Sequence, residues 1–148
     1  MTQVLILNGP NLGMLGTRQP AIYGSETYDH LVALCTSVGA ELGLTVDVRQ
    51  TDDEATMLSW LHAAASGDVD AIVLNAAAWG HYSIALRDAV AMVSVPLVEV
   101  HLSNPAGREA FRHSSVIAGI ASATIAGFGQ DSYRLALLGV AELLAKRA

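Results

Sequence analysis

The sequence predicts an α/β fold, a doubly wound sheet of five parallel strands in the order 2-1-3-4-5. Three observations carry this. Five short apolar runs recur along the 148 residues, helical periodicities lie between them, and the runs are continuous rather than alternating. Continuous apolar strands are buried on both faces, as parallel strands covered by helices are. Five such units are too few for a closed eight-fold barrel.

The elements follow in order. Val4–Leu7 reads as the first strand, and the Gly- and Pro-punctuated segment Asn8–Gly24 follows it. A helix is then expected from Tyr28, Leu31, Val32, Cys35, Val38 and Leu42, spaced by three and four, with Gly43 closing it. Thr45–Val48 is the second strand. Thr51 and Glu54 have the spacing of a capping box ahead of a helix carrying Met57, Leu58 and Leu61. Ala71–Leu74 is the third strand, Ser83–Val93 a helix, Leu97–Val100 the fourth strand behind Pro96, and Ala123–Ala126 the fifth. Ser132–Lys146 closes the pattern as a helix with Leu135, Leu138, Val140 and Leu143 among its apolar positions. The order is flavodoxin-like, and a single domain, 1–148, is expected.

Composition narrows the function. Hydrophobic residues make up 52% and charged residues 15%, which excludes disorder and implies apolar surface for subunit contacts. A net charge of −6, with seven arginines and one lysine scattered along the chain, argues against nucleic acid as a partner. No apolar run approaches the ~18 residues that a membrane span needs. Met1-Thr2-Gln3 leads into the first strand without a basic segment, so a cytoplasmic location is expected. Cys35 stands alone and reads as a buried small hydrophobe.

Ligands of doubly wound sheets bind beyond the carboxyl ends of the strands, near the point where the strand order reverses. The informative residues are therefore those after Leu7, Leu74 and Val100. The connection Asn8–Gly24 lacks the lysine of a phosphate-binding loop. It exceeds the roughly 12–15 residues of ordinary structureless loops, so it reads either as a surface loop or as a lid bearing Arg18 and Tyr23. Asn75 ends the third strand, where it can bind a ligand hydroxyl or cap a turn. His81 precedes a helix, and Asp88 within that helix reads as a solvated or intersubunit charge. In the fourth strand, period two puts Glu99 and His101 on one face, with Val98 and Val100 on the other. A buried carboxylate beside a histidine is costly unless the two pair, and such pairing makes the imidazole a general acid. A purely structural pair has the same spacing.

Other chemistries fit less well. His81, His101 and Glu99 offer metal-binding atoms but match no zinc spacing, and there is no Gly-x-Ser-x-Gly elbow. Schiff-base chemistry fails because the one lysine, Lys146, is third from the end.

Several blocks in this order resemble the type II 3-dehydroquinate dehydratases over nearly the whole chain. They are Leu7-Asn8-Gly9-Pro10-Asn11-Leu12, Leu15-Gly16-Thr17-Arg18 with Tyr23-Gly24, and Asn75 with His81. Leu86-Arg87-Asp88-Ala89, Glu99-Val100-His101-Leu102-Ser103-Asn104, Arg108 and Phe111-Arg112-His113 complete the set. The resemblance implies dehydration of 3-dehydroquinate to 3-dehydroshikimate by anti elimination through an enol or enolate, with no cofactor and no metal. By that resemblance Tyr23 is the base, and Arg18 keeps it ionisable. His101 is the acid, Glu99 orients it, and Asn11 holds a water at the developing enolate oxygen. Asn75, His81, Ser103, the Leu102 amide and Arg112 bind substrate, while Asp88 reaches a neighbouring subunit's site. The resemblance also implies a trimer-based homo-oligomer, a dodecamer. Gly13, Ala76, Ala77, Trp79, Gly80 and Tyr82 depart from the family's pattern and alter the expected pocket wall. The rival reading is a non-catalytic paralogue that binds a shikimate-type acid, and a flavin binder is a third.

Overall fold

A computed structural model of the chain describes residues 2–17, 19–23 and 25–148, with only the backbone of Tyr23. Arg18, a site residue expected from the sequence, lies outside the described residues, as does the side chain of Tyr23. Five strands, β1 (Thr2–Asn8), β2 (Leu44–Gln50), β3 (Ala71–Asn75), β4 (Leu97–His101) and β5 (Ala123–Ala126), form one sheet. All pairings are parallel and the order is β2-β1-β3-β4-β5, as expected from the sequence.

The helices are α1 (Pro20–Tyr23), α2 (Tyr28–Glu41), α3 (Glu54–Ser66), α4 (Ile84–Ala91) and α5 (Asp131–Arg147). Alternation along the strands builds two cores. Val4, Ile6, Val73, Val98 and Val100 meet Leu31, Cys35 and Val38 of α2 and Tyr133, Leu137 and Val140 of α5. Leu5, Leu7, Ile72, Leu74 and Leu97 meet Met57 and Leu61 of α3 and Leu86 and Val90 of α4. Burying a side chain of this size contributes roughly 1.5–3 kcal/mol, so the two layers hold the sheet rigidly beneath whatever sits at its carboxyl edge. Cys35 is fully buried, and desolvation pushes its thiol up to about 12. It is packing material rather than a nucleophile.

Local chemistry sets the element ends. Gly43 follows α2 at φ +72°, a conformation that costs a side chain but not glycine. Gly9 lets the chain leaving β1 pass close to β3, because a Cβ there would stand 2.6 Å from the carbonyl oxygen of Ala76. Ser83 caps α4 by accepting from the Leu86 amide at 3.0 Å.

Three sequence expectations need correction. The cap of α3 is Asp53, not Thr51. Asp53 Oδ1 accepts from the Ala55 amide at 3.2 Å and Oδ2 from Thr56 Oγ1 at 2.7 Å, while Thr51 Oγ1 accepts from the Asp53 amide at 3.0 Å. A carboxylate also complements the positive helix N-terminus, which a hydroxyl does not. The buried face of α5 is Ser132, Tyr133, Ala136, Leu137 and Val140, so Leu138 points outward at 40% exposure. The connection from β1 to α2 is partly structured, with a 3₁₀ turn over Leu12–Met14 and the single turn of α1. Leu12 and Leu15 anchor it by packing into the α2/α5 core. Among the described residues no helix is long and apolar enough to cross a membrane.

Candidate active site

The carboxyl ends of β1, β3 and β4 converge on a cleft of about 120 Å³. Asn11 reaches it from the β1 exit, Asn75 and His81 from the β3 exit, and His101, Leu102, Ser103 and Arg112 from the β4 exit. A larger hollow of about 670 Å³ adjoins it, sharing Leu102, Ser103 and Arg108 and bordered by Ile22 and Ser25. The connection that carries Arg18 and Tyr23 therefore starts beside the cleft and finishes beside the adjoining hollow.

The β4 exit carries the charged chemistry. Glu99 has no exposed surface and His101 only 9%. Both follow Leu97 to the α3/α4 face of the sheet, as period two requires. His101 Nε2 donates to Glu99 Oε2 at 3.0 Å. Two further donors reach the carboxylate, Ser115 Oγ to Oε2 at 2.5 Å and Thr124 Oγ1 to Oε1 at 3.3 Å. Burial alone would raise the proton affinity of Glu99, but hydrogen bonding from His101 and Ser115 overcomes it and holds the carboxyl below its ordinary value. Glu99 is thus an anion at neutral pH and fixes the tautomer of its partner. With Nε2–H committed to Glu99, Nδ1 is the nitrogen left for the cleft, and it carries a proton only when the ring is cationic. The His81 ring stacks on that of His101, centroids 6.4 Å apart. His81 Nδ1 lies 2.9 Å from the carbonyl oxygen of Ser114, so Nδ1 is the donor of that bond.

The β3 exit is neutral. Asn75 turns to the opposite face, where Nδ2 donates to the hydroxyl of Tyr133 at 2.9 Å. That hydroxyl donates to Asn8 Oδ1 at 2.5 Å, and Asn8 Nδ2 donates to the Arg49 carbonyl at 3.2 Å. Asn75 Oδ1 accepts from the Ala77 amide at 3.1 Å. Of the two roles weighed for Asn75, the structure shows the turn cap, and these bonds use one of its two amide protons. Burial drives the Tyr133 hydroxyl well above its ordinary value, so it stays a neutral phenol. Ala77, at the cleft wall, adopts φ +51°, a left-handed conformation unfavourable to an L side chain.

The cleft is basic on its third side. Arg108 Nη1 donates to Ser103 Oγ at 3.3 Å. Arg112 lies over the Phe111 ring at 5.0 Å and donates through Nε to Glu109, whose carboxyl it holds below the ordinary range. A bidentate guanidinium suits a carboxylate ligand. Asn11 tolerates its left-handed φ of +69° because its amide donates to Asp52 at 2.8 Å. Asp88 does not reach this cleft. Its side chain is 62% exposed on α4, next to Arg87.

A family model described as "Dehydroquinase class II" matches residues 2–141. A 3-dehydroquinate dehydratase of Salinispora tropica is 60% identical over 136 residues, covering 91% of this chain and 94% of its own. A 3-dehydroquinate dehydratase 2 of Pseudomonas aeruginosa is 52% identical over 139 residues, covering 94% of this chain and 93% of its own. The crystal structure of a type II dehydroquinase from Propionibacterium acnes superposes with a TM-score of 0.93 at 51% identity, covering 96% of this chain and 97% of that one. The chain belongs to the class II dehydroquinases. It is an enzyme of the hydro-lyase type, as expected from the sequence.

In this class II dehydroquinase, sequence reading missed the groups that support the site. Ser115, Thr124 and Tyr133 lie 16, 25 and 58 residues along the chain from what they hold. The one usable signal was Tyr133, a large polar side chain on the same helix face as Ala136, Leu137 and Val140.

Proposed function

We propose that the chain converts 3-dehydroquinate to 3-dehydroshikimate by anti elimination of water, through an enol or enolate and without a cofactor. The observation that carries this is a histidine held by a buried, ionised carboxylate in a cleft bordered by two arginines. Tyr23, as tyrosinate, removes the proton next to the ketone. A free tyrosine has a pKa of about 10, and an adjacent arginine such as Arg18 can supply the needed depression of ~2–3 units. Cationic His101 then gives the Nδ1 proton to the departing hydroxyl, and water leaves as the double bond forms. Glu99 keeps the ring oriented throughout, and Asn11 holds a water at the enolate oxygen. Arg112, Asn75, His81, Ser103 and the Leu102 amide bind the carboxylate and hydroxyls.

In this reading residues 1–148 form a single catalytic domain in the cytoplasm, acting in the shikimate pathway or in quinate catabolism. Subunits assemble as trimers into a dodecamer, and Asp88 serves a neighbouring subunit's cleft, which suits its exposure in the isolated chain. Light scattering that gives a monomer at micromolar concentration would remove that role. The decisive experiment is to add 3-dehydroquinate to chelator-treated protein and follow the conjugated enone. Turnover supports the reading. A folded protein that binds the substrate without turning it over establishes the rival, a binding paralogue.

A further inference from the structure

The Glu99 carboxylate is held by more than the histidine it orients. Ser115 is the tighter of its two hydroxyl partners. Its oxygen accepts the amides of Ile117 and Ala118, both at 3.1 Å, and its one proton points at Glu99 Oε2. Every hydrogen-bonding capacity of this hydroxyl is committed, so the proton's direction is fixed, and the two amides polarise the O–H toward the carboxylate. Thr124 reaches the other oxygen from β5, where it stands directly opposite Glu99 in the parallel register.

The oxygen that accepts from Ser115 is also the one that accepts from His101. Each hydroxyl donation stabilises the anion and disfavours its protonation. The other titratable or charged groups around this opening, His81, His101, Arg112 and His113, are all basic. Among the described residues no second carboxylate borders it, so removing a hydroxyl has no acidic neighbour there to mask the result.

We propose that Ser115 and Thr124 are positioning residues that keep Glu99 ionised and thereby set the acid edge of the pH range in which His101 can work. They touch Glu99 rather than the substrate and act through it. This rests on the role given to His101 and Glu99 in the proposed reaction.

The test follows the Glu99 carboxyl directly, by carbon-13 NMR titration of full-length Ser115→Ala and Thr124→Val, alongside the pH profile of kcat/KM. Ser115→Ala is expected to move the Glu99 midpoint up by about one pH unit, as loss of one hydrogen bond to a carboxylate does. Thr124→Val moves it less and in the same direction. Tyr23, the base, sets where the acid limb of kcat/KM begins, and the lower pH at which that limb steepens follows each shift; Ser115→Thr, which retains a hydroxyl, returns both readouts toward wild type. Ser115→Ala also strips the acceptor from two amides and can loosen that turn; Thr124→Val leaves the turn intact and decides the matter if it does. A midpoint that stays at the wild-type pH in the folded variants overturns the proposal, even if activity falls. The titration needs no substrate, so a wild-type chain that fails to turn over 3-dehydroquinate counts against the reaction and leaves this test standing.

Discussion

The ends of β3 and β4 are neighbours in the sheet, but they stabilise their buried polar groups on opposite faces and by different means. At β4 a carboxylate with no exposed surface is held on the α3/α4 side by an imidazole and two hydroxyls. At β3 a neutral amide is held on the α2/α5 side by a buried phenol and a backbone amide. The first arrangement contains a charge that can be titrated. The second contains none in reach of ordinary pH, and its remaining variable is shape. The β4 half should therefore govern chemistry and pH response, and the β3 half geometry and stability.

The largest expected effect separates the halves by charge. Glu99→Gln preserves the side-chain shape but removes the anion that accepts from and orients His101, and kcat should fall by at least about two powers of ten with KM changed much less. Asn75→Ala should instead act mainly on KM. Steady-state kinetics on both variants checks the division, and equal kcat losses would break it. The same carboxylate gives a stability signature. Its folded pKa lies below the unfolded value of about 4.3, so it contributes stability above that pH, lost as pH falls through the lower folded value. Glu99→Gln should show a flatter loss of stability across that acid window.

Tyr133→Phe addresses the neutral half and ranks second. It deletes the hydroxyl shared by Asn75 and Asn8, leaving a donor and an acceptor unpaired, both almost fully buried. Each stranded group costs ~1–3 kcal/mol, so a loss of roughly 2–4 kcal/mol is expected in denaturant unfolding. The pH profile of activity should keep its wild-type shape. A shifted acid limb in this variant would couple the two faces of the sheet and undo the comparison.

What could be read in advance divides along the same line. Strand order and the Glu99–His101 pairing were legible, because apolar continuity and period two are local signals. The supports were not. Ser115, Thr124 and Tyr133 meet their partners only after the chain has looped back to them, and a lone serine or threonine leaves no periodic trace. The misplaced cap of α3 has the opposite origin. Thr51 satisfied a local pattern, but β2 runs on to Gln50 and the Thr51 amide donates to the Asn8 carbonyl at 3.0 Å, so Asp53 takes the cap position.

The smallest expected effect concerns Ala77. Its amide is tied to Asn75 Oδ1, and it sits at φ +51° as the chain turns from β3 toward His81. A left-handed alanine costs roughly 1–2 kcal/mol relative to its preferred conformation. Glycine escapes most of that cost but gives back roughly 0.4–1 kcal/mol through the greater freedom of its unfolded chain. Ala77→Gly should therefore stabilise the protein by about 0.5 kcal/mol, read as a higher denaturant midpoint at unchanged slope. At an ordinary helical or extended position the same change would destabilise by a similar amount, so the sign alone discriminates. Ala77→Val gives the converse control, since a β-branched side chain fits this conformation worse than alanine and should destabilise. A stabilising glycine would show that the turn is imposed by its anchors, Asn75 above all, rather than chosen by Ala77. A destabilising one would mean that the anchors yield, and the β3 end would then lose its claim to be the half governed by shape.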